Sequence, residues 1–299
     1  MADAEERPDF RCGLVAIVGR PNVGKSTLLN RLVGAKVSIT SKKAQTTRHR
    51  ITGIANTAEA QLVFVDTPGF QTRHRSRLNE RMNRTVMQSL SDVDAAVIII
   101  EAGRTVAADR EVIRLLPAQA KAVVALNKVD RLENKNVLLL QMAELSAQRP
   151  FAAIVPISAE TGYGLDALTA EIQALMPQAA PLYAADAITD RDERFLAAEF
   201  VREKIFRLLG EEVPYEATVV VDRFVHEGEM RRIHASVIVD RENQKAILLG
   251  EGGTKMKEIA TRARADMEEL FGGKVFLEVW VRVKKGWAND DAQLKRYGY

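Results

Sequence analysis

The sequence predicts a doubly wound, mostly parallel α/β sheet joined to a small α+β domain. Three observations carry this. Five apolar runs alternate with helical patterns between Gly13 and about Pro177. Past a proline-containing stretch, the order changes to helix, strand, strand, helix, strand. Each half also holds a glycine-rich turn that leads into a helix.

The runs GLVAIVG, QLVFVDTPG, DAAVIIIEA, KAVVALNKVD and AAIVPISAE are nearly continuous in apolar residues. That is the mark of strands covered on both faces. RITGIANTAEAQLVFVD holds two strands with only a short turn between them, so one strand is expected to run antiparallel. Residues 178–190, with a proline, small residues and no apolar helical face, suit a linker. Beyond it, residues 191–209 predict a helix with Phe195, Val201, Ile205, Leu208 and Leu209 on its apolar side. TVVVDRF and RIHASVIVD predict strands, and RENQ a turn after the second. Met256, Ile259, Ala263, Met267 and Leu270 recur every three or four residues, as on an amphipathic helix. Val275, Leu277, Val279, Val281 and Val283 alternate along a last strand. The expected division is 11–177, a linker at 178–190, 191–285, and a tail at 286–299.

The 299 residues suffice for about two domains, and 46% hydrophobic with 28% charged content suits a buried core. Cys12 is the single cysteine, which excludes an internal disulfide and a cysteine-built zinc site. MADAEERPDFR lacks the layout of a signal peptide, and no apolar run approaches the roughly 18 residues of a membrane span. A cytoplasmic protein is expected. The net charge is +3, yet residues 181–299 carry 20 Lys and Arg against 22 Asp and Glu. A nucleic-acid contact there needs a local patch, because the domain's overall field does not supply one.

GRPNVGKST, spanning Gly19, Arg20, Pro21, Asn22, Val23, Gly24, Lys25, Ser26 and Thr27, matches G-x-x-x-x-G-K-[ST] between a strand and a helix. Such a loop wraps backbone N–H groups around a β-phosphate. Lys25 offers charge to the β- and γ-phosphates, and Ser26 a hydroxyl to Mg²⁺. In DTPGFQ, Asp66 is placed to hold Mg²⁺ through water, and the Gly69 amide to bond a γ-phosphate. Between these motifs, SKKAQTTRHRI reads as a mobile loop in which Thr47, or else Thr46, completes the Mg²⁺ shell.

NKVD selects the base. The Asp130 carboxylate suits the paired ring N–H and exocyclic amine of guanine, a donor pair that adenine lacks. Asn127 is expected at the other edge of the base and Lys128 over its ring. Ser158, Ala159 and Glu160 then supply a backbone N–H to the guanine oxygen. The nucleotide is GTP, turned over to GDP. Phe70 stands where many GTPases carry a water-orienting glutamine, so the attacking water must be positioned otherwise. In related GTPases lacking that glutamine, an asparagine at the place of Asn22 binds K⁺. Stimulation by K⁺ is therefore expected.

Gly250, Glu251, Gly252 and Gly253 fit G-x-x-G. In KH domains this loop sets backbone N–H groups and a helix N-terminus against about four nucleotides of a single strand. Lys245, Lys255, Lys257, Arg262 and Arg264 lie nearby, with Lys255 and Lys257 the expected RNA contacts beside the loop.

The chain resembles the Era family of bacterial GTPases over roughly residues 11 to 299. The resemblance rests on GRPNVGKST, SKKAQTTRHRI before DTPG, NKVD and SAE, motifs shared by many GTPases. VREKIFRLLGEEVPY, LLGEGGTKMKEI and LEVWVRVKKGW, beyond the linker, are the specific ones. It implies a P-loop GTPase domain followed by a type II KH domain that binds the single-stranded 3′ end of 16S rRNA. It further implies a role in rRNA processing and 30S subunit biogenesis, a monomer, and peripheral attachment to the inner face of the cell membrane. One departure stands out: the inner G-x-x-G positions, often basic in the family, are Glu251 and Gly252.

Three other readings stay open. Phe276, Trp280 and Arg282, on the outer side of the last strand, suit a protein partner as well as stacked bases. RNA modification would need a nucleophile, and Cys12 in or beside the first strand fits packing better, while His49, His74, His226 and His234 lack ligand spacing. HRSRLNERMNR, residues 74–84, suits a solvated helix face or a basic membrane contact.

Overall fold

A computed structural model describes residues 9–41, 43, 46–69, 77–210 and 212–299. These fall into two compact units. One comprises residues 9–38, 49–69 and 82–190, and the other 39–48, 77–81 and 191–299.

The first unit is built on β1 (Arg11–Val18), β2 (Ile51–Asn56), β3 (Ala60–Asp66), β4 (Ala95–Glu101), β5 (Ala122–Asn127) and β6 (Ala153–Pro156). The sheet order is β2-β3-β1-β4-β5-β6. Only β2 runs antiparallel, to β3, as the short turn between the two runs implied. The helices are α1 (Lys25–Val33), α2 (Arg77–Ser91), α3 (Ala107–Leu115), α4 (Asn136–Ser146) and α5 (Leu165–Leu175). Every residue of β3 and β5 is buried, which is what their unbroken apolar runs require. Val86 and Leu90 of α2 and Val112 and Ile113 of α3 close one face against Ile98, Ile100 and Val124. The chain leaves β1 for one side of the sheet and later crosses to the other. The crevice at the carboxyl end of β1 is therefore the place where such sheets hold ligands.

Residues 178–190 form no helix, as a linker should, but they are laid along this unit. Ile54 N–H donates to the Ile188 carbonyl at 2.9 Å, and Gln61 Oε1 accepts the N–H groups of Leu182 and Tyr183 at 2.7 and 2.9 Å.

The second unit contains α6 (Glu193–Leu208), α7 (Glu212–Tyr215), β7 (Thr218–Glu227), β8 (Met230–Val239), α8 (Glu242–Leu249), α9 (Thr254–Phe271), β9 (Val275–Val283) and α10 (Asp291–Arg296). Its sheet has the order β7-β8-β9, with β7 and β8 antiparallel and β8 and β9 parallel. Phe200, Val201 and Ile205 of α6 and Ile259, Ala263 and Met267 of α9 bury against Ile233, Ala235 and Val237.

Two expectations need correction here. RENQ does not make a turn: Glu242 opens α8, whose first turn is fixed by Gln244 Oε1 accepting the N–H groups of Asp240 and Arg241. The reciprocal contact of a capping box was there to be read, but Arg241 occupies the place usually held by Ser, Thr or Asp. Second, α6 is more than amphipathic, because Glu199, Arg202, Glu203 and Lys204 are buried along with its apolar residues. Thr40 and, from the expected mobile loop SKKAQTTRHRI, Thr46 supply partners. Thr40 N–H donates to Glu203 Oε1 at 2.9 Å, and Arg202 donates to the Thr46 carbonyl. The Arg48 guanidinium donates to the carbonyls of Ala217, Pro214 and Tyr215 at 2.8, 3.0 and 2.8 Å. In the tail, residues 286–299, Trp287 is buried and its Nε1 donates to the Glu216 carbonyl at 2.9 Å.

Candidate functional site

β1 ends in the loop Gly19–Gly24, which delivers the chain to the N-terminus of α1. Two of its residues need left-handed backbone: Asn22 at φ 66° and Gly24 at φ 107°. A side chain on Gly24 would also collide with the Asn127 amide. Asparagine is among the few side chains that tolerate this region, so Asn22 has a conformational reason for its place.

Lys25 is buried and donates to the carbonyls of Gly19 and Arg20 at 3.0 and 2.9 Å. Burial depresses its ammonium from 10.5 to about 8, partly offset by Asp66. A cation kept so dry gains strongly from an anion. Arg20 turns away from the loop, toward Glu101 of β4 at 2.6 Å and Asp109 of α3 at 3.1 Å. Burial raises the Glu101 carboxyl, but Lys128 and Arg20 outweigh it and hold the group below its ordinary range. Val23 is buried, Pro21 half-buried, and Thr27 continues α1.

Asp66, at the end of β3, is fully buried. Its Oδ2 accepts hydroxyls from Ser26 at 2.8 Å and Ser38 at 2.9 Å. This all-oxygen group suits a hard cation such as Mg²⁺. Among the described residues no three His, Cys, Asp or Glu side chains gather as a metal site, so such an ion would rely on phosphate and water as well. Gly69 lies against Pro21, where an added Cβ would come within 3.1 Å of the Pro21 backbone. Thr47 and Thr46 are buried and belong to the second unit, and Ser38 is a second hydroxyl on Asp66. No sequence motif marks Ser38. Phe70 and His74 lie outside the described residues.

Asn127 ends β5. Its Nδ2 donates to the Val23 carbonyl at 2.7 Å, and its Oδ1 accepts the Ala159 N–H at 2.9 Å. One amide thus ties the phosphate-type loop to the SAE loop. Lys128, at φ 72°, donates to the Asn22 carbonyl at 2.9 Å and to Glu101 at 3.0 Å. Asp130 follows on a single 3₁₀ turn, its side chain about a quarter exposed. Ser158 is buried, with Oγ accepting the Thr161 N–H at 3.1 Å, while Glu160 is exposed. Residues 19–26, 66, 127–130 and 158–160 therefore share one end of the sheet.

In the second unit, Gly250–Gly253 joins α8 to α9. Gly250, Gly252 and Gly253 have φ of 70°, 58° and 79°, and a Cβ on Gly250 would sit 2.7 Å from that of Lys255. No side chain caps α9, and its first N–H, that of Thr254, donates to the Glu251 carbonyl. Glu251 and Lys257 are exposed, whereas Lys255 pairs with Glu258 at 3.1 Å. On the outer sheet face Trp280 and Phe276 are exposed. The Arg232 guanidinium lies 4.6 Å over the Phe276 ring, and Arg232 and Arg282 pair with Glu227 and Asp222. Cys12 is packed in β1, and burial raises its thiol, which removes it as a nucleophile.

The 50S ribosome-binding GTPase family matches residues 14–128, and the KH domain family residues 212–288. The chain is 54% identical to GTPase Era of Chromobacterium violaceum, over 97% of this chain and 98% of that one. The chain belongs to the Era family. GTPase Era of Nitrosomonas eutropha is 53% identical over 97% of this chain and 98% of that relative. Two solved Era structures superpose with a TM-score of 0.93 at 40% identity, each over 97% of this chain and 99% of its own. One is a variant of Aquifex aeolicus Era bound to GDP·AlF4⁻, and the other is Era with MgGDPNP and nucleotides 1506–1542 of 16S ribosomal RNA. The Era architecture, a GTPase domain followed by a KH domain, is therefore that of this chain. Among the described residues no helix is long and apolar enough to cross a membrane.

Proposed function

We propose that this protein is a GTP-hydrolysing switch that binds the single-stranded 3′ end of 16S rRNA and acts in rRNA processing and 30S subunit biogenesis. The observation that carries the reading is the Asn127 amide, which joins the phosphate-type loop at Val23 to the SAE loop at Ala159.

In this reading Gly19 to Thr27 wrap the β-phosphate in N–H groups, and Lys25 meets the β- and γ-phosphates. An ammonium that burial has already depressed regains its charge preference beside phosphate, so its desolvation is offset by binding. Asp130 accepts the two guanine donors, the Ser158–Glu160 loop supplies a backbone N–H to the guanine oxygen, and Lys128 covers the ring. Ser26 and Asp66 hold Mg²⁺, which supplies positive charge to the phosphates during transfer. Thr47 completes the Mg²⁺ shell in the triphosphate state, and the Gly69 amide bonds the γ-phosphate. Asn22 holds K⁺, whose charge stands in for an arginine finger. The Gly250–Gly253 loop and the α9 N-terminus take RNA phosphate, with Lys257 and Lys255 alongside.

The family resemblance also supports a monomer in the cytoplasm, attached peripherally at the inner membrane face. Liposome sedimentation tests the attachment. For the main reading, GTP turnover is measured in K⁺ buffer with and without a 16S 3′-end oligonucleotide. Stimulation is expected, and Asp130→Asn is expected to lower the preference for GTP over ATP by several orders of magnitude, toward the ~10⁴-fold scale of such sites. Equal calorimetric affinity of the unaltered protein for ATP and GTP overturns the base assignment.

A further inference from the structure

Two hydroxyls converge on one oxygen of Asp66. Ser26 belongs to the phosphate-loop motif, but Ser38, 2.9 Å away, belongs to no motif and is 1% exposed. Its backbone is held by a single side chain. Asn30 Oδ1 accepts the N–H groups of Val37 and Ser38 at 3.0 and 2.9 Å, and Asn30 Nδ2 donates to the Ser38 carbonyl at 2.7 Å. Asn30 lies on α1, the helix that also carries Lys25 and Ser26. Ser38 is thus fixed to the same rigid body as the phosphate loop, with its hydroxyl aimed at the carboxylate.

We infer that Ser38, set by Asn30, is a positioning residue that orients the Asp66 carboxylate and thereby sets the affinity for Mg²⁺ in the nucleotide complex. The inference rests on the reading of Asp66 as the Mg²⁺ carboxylate. A carboxylate at the end of a strand rotates about its last bond. Two hydroxyl donors on Oδ2 restrain that rotation. Partners of this kind behind a metal-holding group typically govern metal affinity by 10–100-fold. Ser38 is also the final residue of its unit before the chain passes, at Ile39, into segment 39–48.

The test measures release of a fluorescent GDP analogue against Mg²⁺ concentration and in EDTA, for Ser38→Ala, Ser38→Thr, Asn30→Ala and Asp66→Asn. Ser38→Ala is expected to raise the half-effective Mg²⁺ concentration roughly 10-fold, with release in EDTA unchanged. Asn30→Ala should shift it in the same direction by less, and Ser38→Thr, which keeps the hydroxyl, should stay within about twofold. If Ser38→Ala does not fold, Asn30→Ala decides. An unchanged Mg²⁺ profile in the alanine variants, with Asp66→Asn shifted, overturns the role of Ser38 alone. An unshifted Asp66→Asn sinks the metal reading and this role together. A release rate altered equally in EDTA reduces Ser38 to a purely structural part.

Discussion

The Asn127 amide reaches across from β5 to the Val23 carbonyl at 2.7 Å, inside the loop that follows β1. The same side chain accepts the Ala159 N–H, and it is buried. Its first duty is to hold two loops together, and whatever it offers a base comes from the N–H that remains. Asn127→Ala leaves the Val23 carbonyl and the Ala159 N–H without these partners. A cost of about 1–3 kcal/mol per buried group is expected. A lower melting temperature without nucleotide, together with GTP affinity reduced at least 10-fold, is the expected result. An unchanged melting temperature with lost affinity would make Asn127 a ligand contact only.

Lys25 makes nucleotide binding pH-dependent. Its folded value of about 8 lies below the ordinary 10.5, because burial penalises the charged ammonium. Between those two values the unfolded chain holds the proton that the folded, nucleotide-free chain has released. The Lys25 contribution to stability therefore rises with pH across that window, and below it the burial penalty is fully present. Phosphate beside the ammonium restores the proton. Calorimetry near pH 9, in buffers of different ionisation enthalpy, should show proton uptake on GDP binding. The uptake should vanish near pH 6.5 and in Lys25→Met. Equal uptake at both values would contradict the buried ammonium.

Lys255 and Lys257 should not weigh equally on RNA. Lys255 is already paired with Glu258, while Lys257 is exposed with no ion pair among the described residues. Lys257→Ala is expected to weaken oligonucleotide binding more than Lys255→Ala does. Glu251→Lys, at an exposed position of the glycine loop, should tighten it and steepen the salt dependence by about one unit of slope. Filter binding at several salt concentrations reads all three. Weaker binding by Glu251→Lys would move the RNA backbone away from this loop.

The cation proposed at Asn22 can be separated from that residue's backbone role. Asn22 sits at φ 66°, a conformation glycine adopts without cost, so Asn22→Gly keeps the loop while deleting the amide oxygen. Turnover of the unaltered protein should be several-fold faster in K⁺ than in Na⁺, and Asn22→Gly should lose that difference while still binding GDP. Equal rates in the two salts for the unaltered chain would leave Asn22 with its conformational role alone.

Much of this was legible along the chain because neighbours in sequence set it. β3, β4 and β5 are read from unbroken apolar runs, since burial on both faces leaves no polar alternation. The loop at Gly19–Ser26 and the Asp130 turn are likewise local, where spacing dictates backbone shape. α8 was missed because its opening contact uses an arginine backbone N–H and Gln244 in place of the usual capping side chain.

By itself, the order of residues determined two units, their strands, the Gly19–Ser26 loop, the Asp130 turn and the glycine loop. Each depends on local periodicity or on a backbone conformation that few residue types adopt. Tertiary structure alone decided that Ser38 faces Asp66, that Thr46 and Thr47 are buried beside α6, and that Glu199, Arg202, Glu203 and Lys204 are internal. Those facts rest on charges and hydroxyls meeting partners distant in the chain: Ser38 meets Asp66, 28 residues on, and Glu203 and Arg202 meet Thr40 and Thr46, more than 150 residues away. A buried charge looks the same in sequence as a solvated one until its partner is known.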